Sequence, residues 1–170
     1  MVDDFSEIYA KVVSSTDYVQ FKEKHKGYVL AHGFVQLNKK FEVEKPWQLG
    51  FYSKENDNLA IFETNPVKHL SFDEAFKDGG TIDELKFDPK TFKSTKDVLE
   101  IAKINLNEKH KGELVMNVIM ILQSINSKPV YNMTFITQTF SMITMHVDAL
   151  SGDIIKETKS SILDLKKQEV

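Results

Sequence analysis

One string of five residues occurs twice. Glu23-Lys24-His25-Lys26-Gly27 returns as Glu108-Lys109-His110-Lys111-Gly112, 85 residues later in a chain of 170. A self-match at half the chain length is the trace of an internal duplication. It constrains the fold because a unit repeated in sequence is expected to repeat in space. Each copy closes a helical pattern and precedes segments rich in β-formers. The expectation is two similar helix-then-strand units.

The first unit opens with Phe5, Ile8, Tyr9, Val12 and Val13 at helical spacing, with Asp3 or Asp4 available as cap. A second helical piece starts near Thr16 and ends at Gly27, which takes the left-handed conformation cheaply. Strands are expected over 28–37, 47–52 and 59–62, with a polar turn at 54–58. Residues 63–93, with Pro66, Pro89 and Gly79-Gly80, read as a connector. Ser71 and Glu74 stand at capping-box spacing and suggest a short helix over 71–76. The second unit starts at Ser94, runs as a helix to His110, and continues as strands over 114–125, 130–137 and 142–149. The tail from Ser160 to Val170 reads as a short amphipathic helix or a frayed end. The expected class is α+β: two α-β-β-β units with antiparallel sheets, each with a helix packed on its sheet. The expected division is 1–65, a connector over 66–93, a second unit over 94–158 and a tail over 159–170.

The stretch Pro129-Val130-Tyr131-Asn132-Met133-Thr134-Phe135, followed by Met145-His146-Val147-Asp148-Ala149-Leu150-Ser151-Gly152-Asp153-Ile154-Ile155, resembles the end of a PepSY domain. With the helix before it, the resemblance covers about residues 94 to 158. The first unit, with Pro46-Trp47-Gln48-Leu49, looks like a degenerate copy that lacks the Asp-Ala-x-Ser-Gly ending. The resemblance implies a cystatin-like helix on an antiparallel sheet, no catalysis, and a role in inhibiting or regulating peptidases. Most members of that family are secreted or membrane-linked.

Composition narrows the function. There is no cysteine, so disulfides, thiolate metal sites and thiol nucleophiles are excluded together. All 22 basic residues are lysine. Without arginine the chain lacks the bidentate fork that reads guanine and clamps phosphate. A net charge of −3 further disfavours nucleic acid. The N-terminus is acidic and lacks a basic region followed by an apolar run, and 114–122 is too short to span a bilayer. The expectation is a cytoplasmic protein with no cofactor, no metal and no membrane or nucleic-acid partner.

Five histidines are the natural candidates for chemistry. His25 and His110 are flanked by lysines, which oppose a bound cation, and they read as solvated helix ends. His32 and His69 have no partner suggested by sequence. His146 stands out because strand alternation puts Thr144, His146 and Asp148 on one face, with Asn132 and Thr134 offered by the neighbouring strand. A histidine beside a carboxylate can act as a general base, although a solvent-facing sheet surface is the default for such residues. Met116, Met120, Met133, Met142 and Met145 either fill a core or line an adaptable surface. The strand over 114–122 is apolar on both faces, which calls for cover from the other unit or from a second chain. Together these readings favour a non-catalytic binding or regulatory module working through protein contacts or self-association. The alternatives are a small-ligand binder or acid–base enzyme with a cavity between helix and sheet, and a dimeric scaffold.

Overall fold

The computed structural model describes residues 2–75 and 82–163. Three helices lie where the periodicity places them, and each start is set by a short polar cap. Asp4 accepts from the Ser6 amide at the head of α1 (Phe5–Val13), and Ser15 accepts from the Tyr18 amide at the head of α2 (Thr16–Lys24). Ser94 accepts from the Asp97 amide at the head of α3 (Thr95–Lys109). His25 and His110 are the C-cap residues of α2 and α3, and each donates its amide four residues back, to Phe21 and Leu106. Gly27 and Gly112 then turn the chain with φ of 88° and 86°. The repeated pentapeptide therefore builds one local device twice: a helix stop that aims the chain into a strand.

The strands overturn the expected architecture. In chain order they are β1 (Tyr28–Asn38), β2 (Val43–Ser53), β3 (Asn58–Thr64), β4 (Val67–Glu74), β5 (Val115–Ile125), β6 (Lys128–Thr137), β7 (Ser141–Asp148) and β8 (Ile154–Ser161). They form one eight-stranded sheet in the order β4-β3-β2-β1-β5-β6-β7-β8, every pair antiparallel. The molecule is thus mostly a single antiparallel sheet with three short helices, not two separate helix-on-sheet units of three strands each. Two strands were hidden in the sequence. β4 takes the place of the expected helix over 71–76, as far as Glu74; Phe76 lies outside the described residues. The Ser71 hydroxyl caps nothing there and donates to Asp73 Oδ1 at 2.8 Å. β8 takes up the end of the expected second unit, 154–158, for which no strand is expected, and the first residues of the expected tail, 159–161; residues 162–163 are helical and 164–170 lie outside the described residues. Both are edge strands, polar and largely exposed. Edge strands of this kind carry charge against edge-to-edge pairing, and that erases the apolar alternation by which strands are recognised.

The two halves join at β1 and β5. Val35 faces Met120 across this seam, Phe34 faces Ile121, and Gln36 faces Ile119. Val35 and Met120 are 85 residues apart, the spacing of the pentapeptides. A shift that carries one member of a direct cross-strand pair onto the other is what a local two-fold axis through the seam requires. The mirrored strand order on either side obeys the same symmetry.

All three helices cover one face. Phe5, Ile8 and Val12 of α1, Phe21 of α2, and Val98, Leu99, Ala102 and Leu106 of α3 share one core with Val35, Leu37, Leu49, Val118, Met120, Met133 and Met145. α1 is anchored at the centre. The Phe5 ring lies over Gly33, where any Cβ would overlap it, and meets Trp47 edge-on at 5.2 Å. The Phe5 amide donates to Thr95 Oγ1 at 3.1 Å, and the Thr95 amide donates to Asp4 Oδ1 at 2.8 Å. These reciprocal bonds tie the starts of α1 and α3 together across 90 residues of chain, satisfying donors that a helix start otherwise leaves orphaned.

Candidate functional site

Because every described helix packs on one face, the other face of the sheet carries no described helix. It is not a uniformly polar surface. One row crosses it strand by strand: Lys68, Glu63, Gln48, Phe34, Ile121, Asn132, His146 and Lys156. The next row holds Gln36, Ile119, Thr134, Thr144 and Thr158. Phe34, Ile119, Ile121, Ile136 and Met142 are half-buried, so an apolar band runs across the seam. Each half meets its partner edge to edge here, and no described helix covers the second face of β5.

The structure brings the residues singled out from sequence onto this face. Asn132 pairs with His146, and Thr134 pairs with Thr144, their hydroxyl oxygens 3.5 Å apart. Asp148 does not serve His146. Its Oδ1 accepts from the Leu150 amide at 2.8 Å and the Ser151 amide at 3.1 Å, fixing the turn into β8. The His146 ring is instead held below its ordinary basicity, first by burial and then by the neighbouring ammonium of Lys156. A depressed imidazole beside a lysine, with the carboxylate occupied elsewhere, is not an assembled acid–base pair. Asn132 Oδ1 is buried and has no hydrogen-bond partner among the described residues. Met120, Met133 and Met145 fill the core between the helices and the sheet, Met116 is exposed, and Met142 is half-buried on the outer face.

The repeated histidines have structural partners, and the two sets differ. His25 stacks on Phe21 at 4.8 Å and meets Phe72 of β4 at 5.3 Å, in a cluster that includes His69. His110 instead lies 3.4 Å from Glu157 of β8, which also accepts from Asn105 Nδ2 at 2.6 and 3.0 Å. Among the described residues no three His, Cys, Asp or Glu side chains converge as metal ligands.

Sequence reasoning missed His32. On β1 it pairs with Gly50 of β2, and its ring lies over that glycine so closely that a Cβ at position 50 would overlap it. Burial holds the His32 imidazole below its ordinary basicity. The ring lines a cavity of about 320 Å³ together with Phe34, Leu59, Asp83, Ile121 and Gln123. The available signal was Gly50 in the middle of a strand otherwise alternating large residues. Such a glycine marks close approach of another group.

No family model and no curated protein matches the chain. Among solved structures it is similar to the crystal structure of a "putative lipoprotein" from Clostridium difficile 630, with a TM-score of 0.53 and 16% identity over 84% of this chain and 89% of that one. At that identity the likeness is one of fold. No described helix is long and apolar enough to cross a membrane.

Proposed function

We propose that this protein is a non-catalytic binding module that works through protein contacts made by the outer face of its sheet. The observation that carries the reading is the apolar band of Phe34, Ile119, Ile121, Ile136 and Met142, half-exposed and without a described helix over it. An apolar surface rimmed by Gln36, Gln48, Asn132 and His146 has the composition of a contact patch, apolar at its centre and polar at its edge. The engagement of Asp148 in its own turn supports the non-catalytic part. The sequence resemblance over residues 94 to 158 adds peptidases as the partner class. We place the module in the cytoplasm as part of the same reading.

The test compares the native chain with Ile121→Glu as bait in extract from the source cells, with thermal melts to verify folding of both. Partners that co-purify with the native chain and are lost with the variant are expected. Identical captures from both baits would remove the outer face from the account. A turnover that vanishes on substituting one acid or base would remove the non-catalytic reading. A second reading, a small-ligand binder, is favoured by one specific observation, the cavity at His32 on the same face.

A further inference from the structure

The polar groups around the His32 cavity are unusual in their balance. Asp83 is its one charged lining residue among those described, and a carboxylate only accepts hydrogen bonds. Gln123 and Ser124 each offer an accepting oxygen. Neither ring nitrogen of His32 is hydrogen-bonded to another described residue, although Gly50 seats the ring firmly against β2. Asp83 also lines two neighbouring recesses, whose own linings include Lys86 and Lys54. The remaining walls include Phe34, Leu59 and Ile121. A concave site with mostly apolar walls and a few convergent polar groups is the usual form of a small-molecule pocket, and a volume of about 320 Å³ lies at the lower end of that range.

We propose that this cavity binds a primary amine carried on a small apolar body, its ammonium held by Asp83, Gln123 and a ring nitrogen of His32, and its body seated on Phe34, Leu59 and Ile121. The charge balance decides the class. A carboxylate ligand would bring a second negative charge up to the exposed Asp83, with no lysine in the described lining of this cavity to pair it. A neutral alcohol would satisfy the oxygens but leave Asp83 without a counter-charge. An ammonium brings three donors to a site rich in acceptors. The depressed basicity of His32 fits, since a neutral imidazole keeps one lone pair free and does not repel a cation. This site deepens the small-ligand reading and shares Phe34 and Ile121 with the apolar band, so Asp83→Asn, which lies outside the band, separates the two: it should weaken the amine and leave partner capture unchanged.

Titration of the full chain with phenethylamine, 2-phenylethanol and phenylacetate, followed by the NMR signals of the His32 ring and the Gln123 side-chain amide, tests it. Phenethylamine should shift both signals with a Kd on the order of 1 mM, as expected for so small a ligand. The alcohol should bind several-fold more weakly, and phenylacetate should leave the signals in place. Asp83→Asn should weaken phenethylamine about tenfold, one charge-assisted contact, and leave 2-phenylethanol unchanged. Gly50→Ala, which must push the ring out of its seat, should abolish binding; if that variant does not fold, Asp83→Asn decides alone. The proposal is overturned if phenethylamine moves neither signal at ten times the expected Kd. Phenylacetate binding as tightly as the amine overturns it too, as does an amine affinity indifferent to Asp83→Asn.

Discussion

The two halves use the same helix stop for different ends. In the N-terminal half, α2 is only nine residues long and is preceded by α1, the break falling at Ser14 and Ser15, whose hydroxyls bond back to Ala10 and Val12 carbonyls. In the C-terminal half, α3 runs unbroken for fifteen residues. The N-terminal helix end is braced against its edge strand by rings: Phe21, His25, His69 and Phe72. The C-terminal one is braced by Asn105, His110 and Glu157. The repeated residues fix the backbone, because a capping residue and a glycine at positive φ act locally. What the histidine touches is decided by the edge strand that arrives beside it.

The largest effect expected from breaking this comparison is at Phe5. It plugs the space over Gly33, whereas 85 residues on Val118 supplies its own side chain and needs no plug. Phe5→Ala should cost about 3–5 kcal/mol in denaturant titration. A cost below about 1 kcal/mol, the scale of a surface change, would show that α1 is not part of the core.

Next come the braces. Glu157→Ala leaves the buried amide of Asn105 with only the weak acceptor Met145 Sδ, at 3.7 Å, and should cost about 1–3 kcal/mol. High salt should erode the polar brace in the wild type and leave the ring cluster untouched, because only charges are screened. If Phe72→Ala shows the same salt sensitivity as Glu157→Ala, the two braces do not differ as described.

Smaller and more symmetric are the glycines. A Cβ would meet nothing within 4 Å at Gly27 or Gly112, so alanine there pays only for positive φ. Each substitution should cost about 1–2 kcal/mol, and the two costs should agree to within about 0.5 kcal/mol, the usual scatter of independent sites. Unequal melting shifts would mean that one stop is supported by contacts the other lacks.

The smallest effect is in pH. One histidine of each half, His32 and His146, has its folded-state basicity lowered from the ordinary 6.5. The unfolded chain therefore takes up these protons first as pH falls. Stability is full above about pH 6.5 and declines below it, through the interval down to the folded-state values. His32→Gln and His146→Gln should each flatten melting temperature against pH in that window. A profile unchanged by both would show that neither ring is as enclosed as it stands.

Helices were legible because their signals are local: Asp4, Ser15 and Ser94 as caps, Gly27 and Gly112 as stops, and apolar residues at helical spacing between them. Buried strands were legible for the same reason, since a run of β-formers over 114–125 or alternation through Tyr131, Met133 and Phe135 needs no knowledge of neighbours. β4 and β8 were not legible, because an edge strand with one side in water has no need to alternate. The placement of Asn132, Thr134, Thr144 and His146 on one outer face followed from parity alone. That Asp148 turns away into its own loop did not, because a carboxylate two residues from His146 fits a site and a turn equally well in sequence.

The sequence by itself determined where the chain bends, which segments bury apolar side chains, and that one helix-stop device appears twice, all through forces acting within a few residues. Tertiary structure decided that the halves share one sheet by pairing β1 with β5, and that His32 finds a seat on Gly50. Those outcomes depend on backbone hydrogen bonds and side-chain approach between residues far apart in the chain, about which local spacing carries no information.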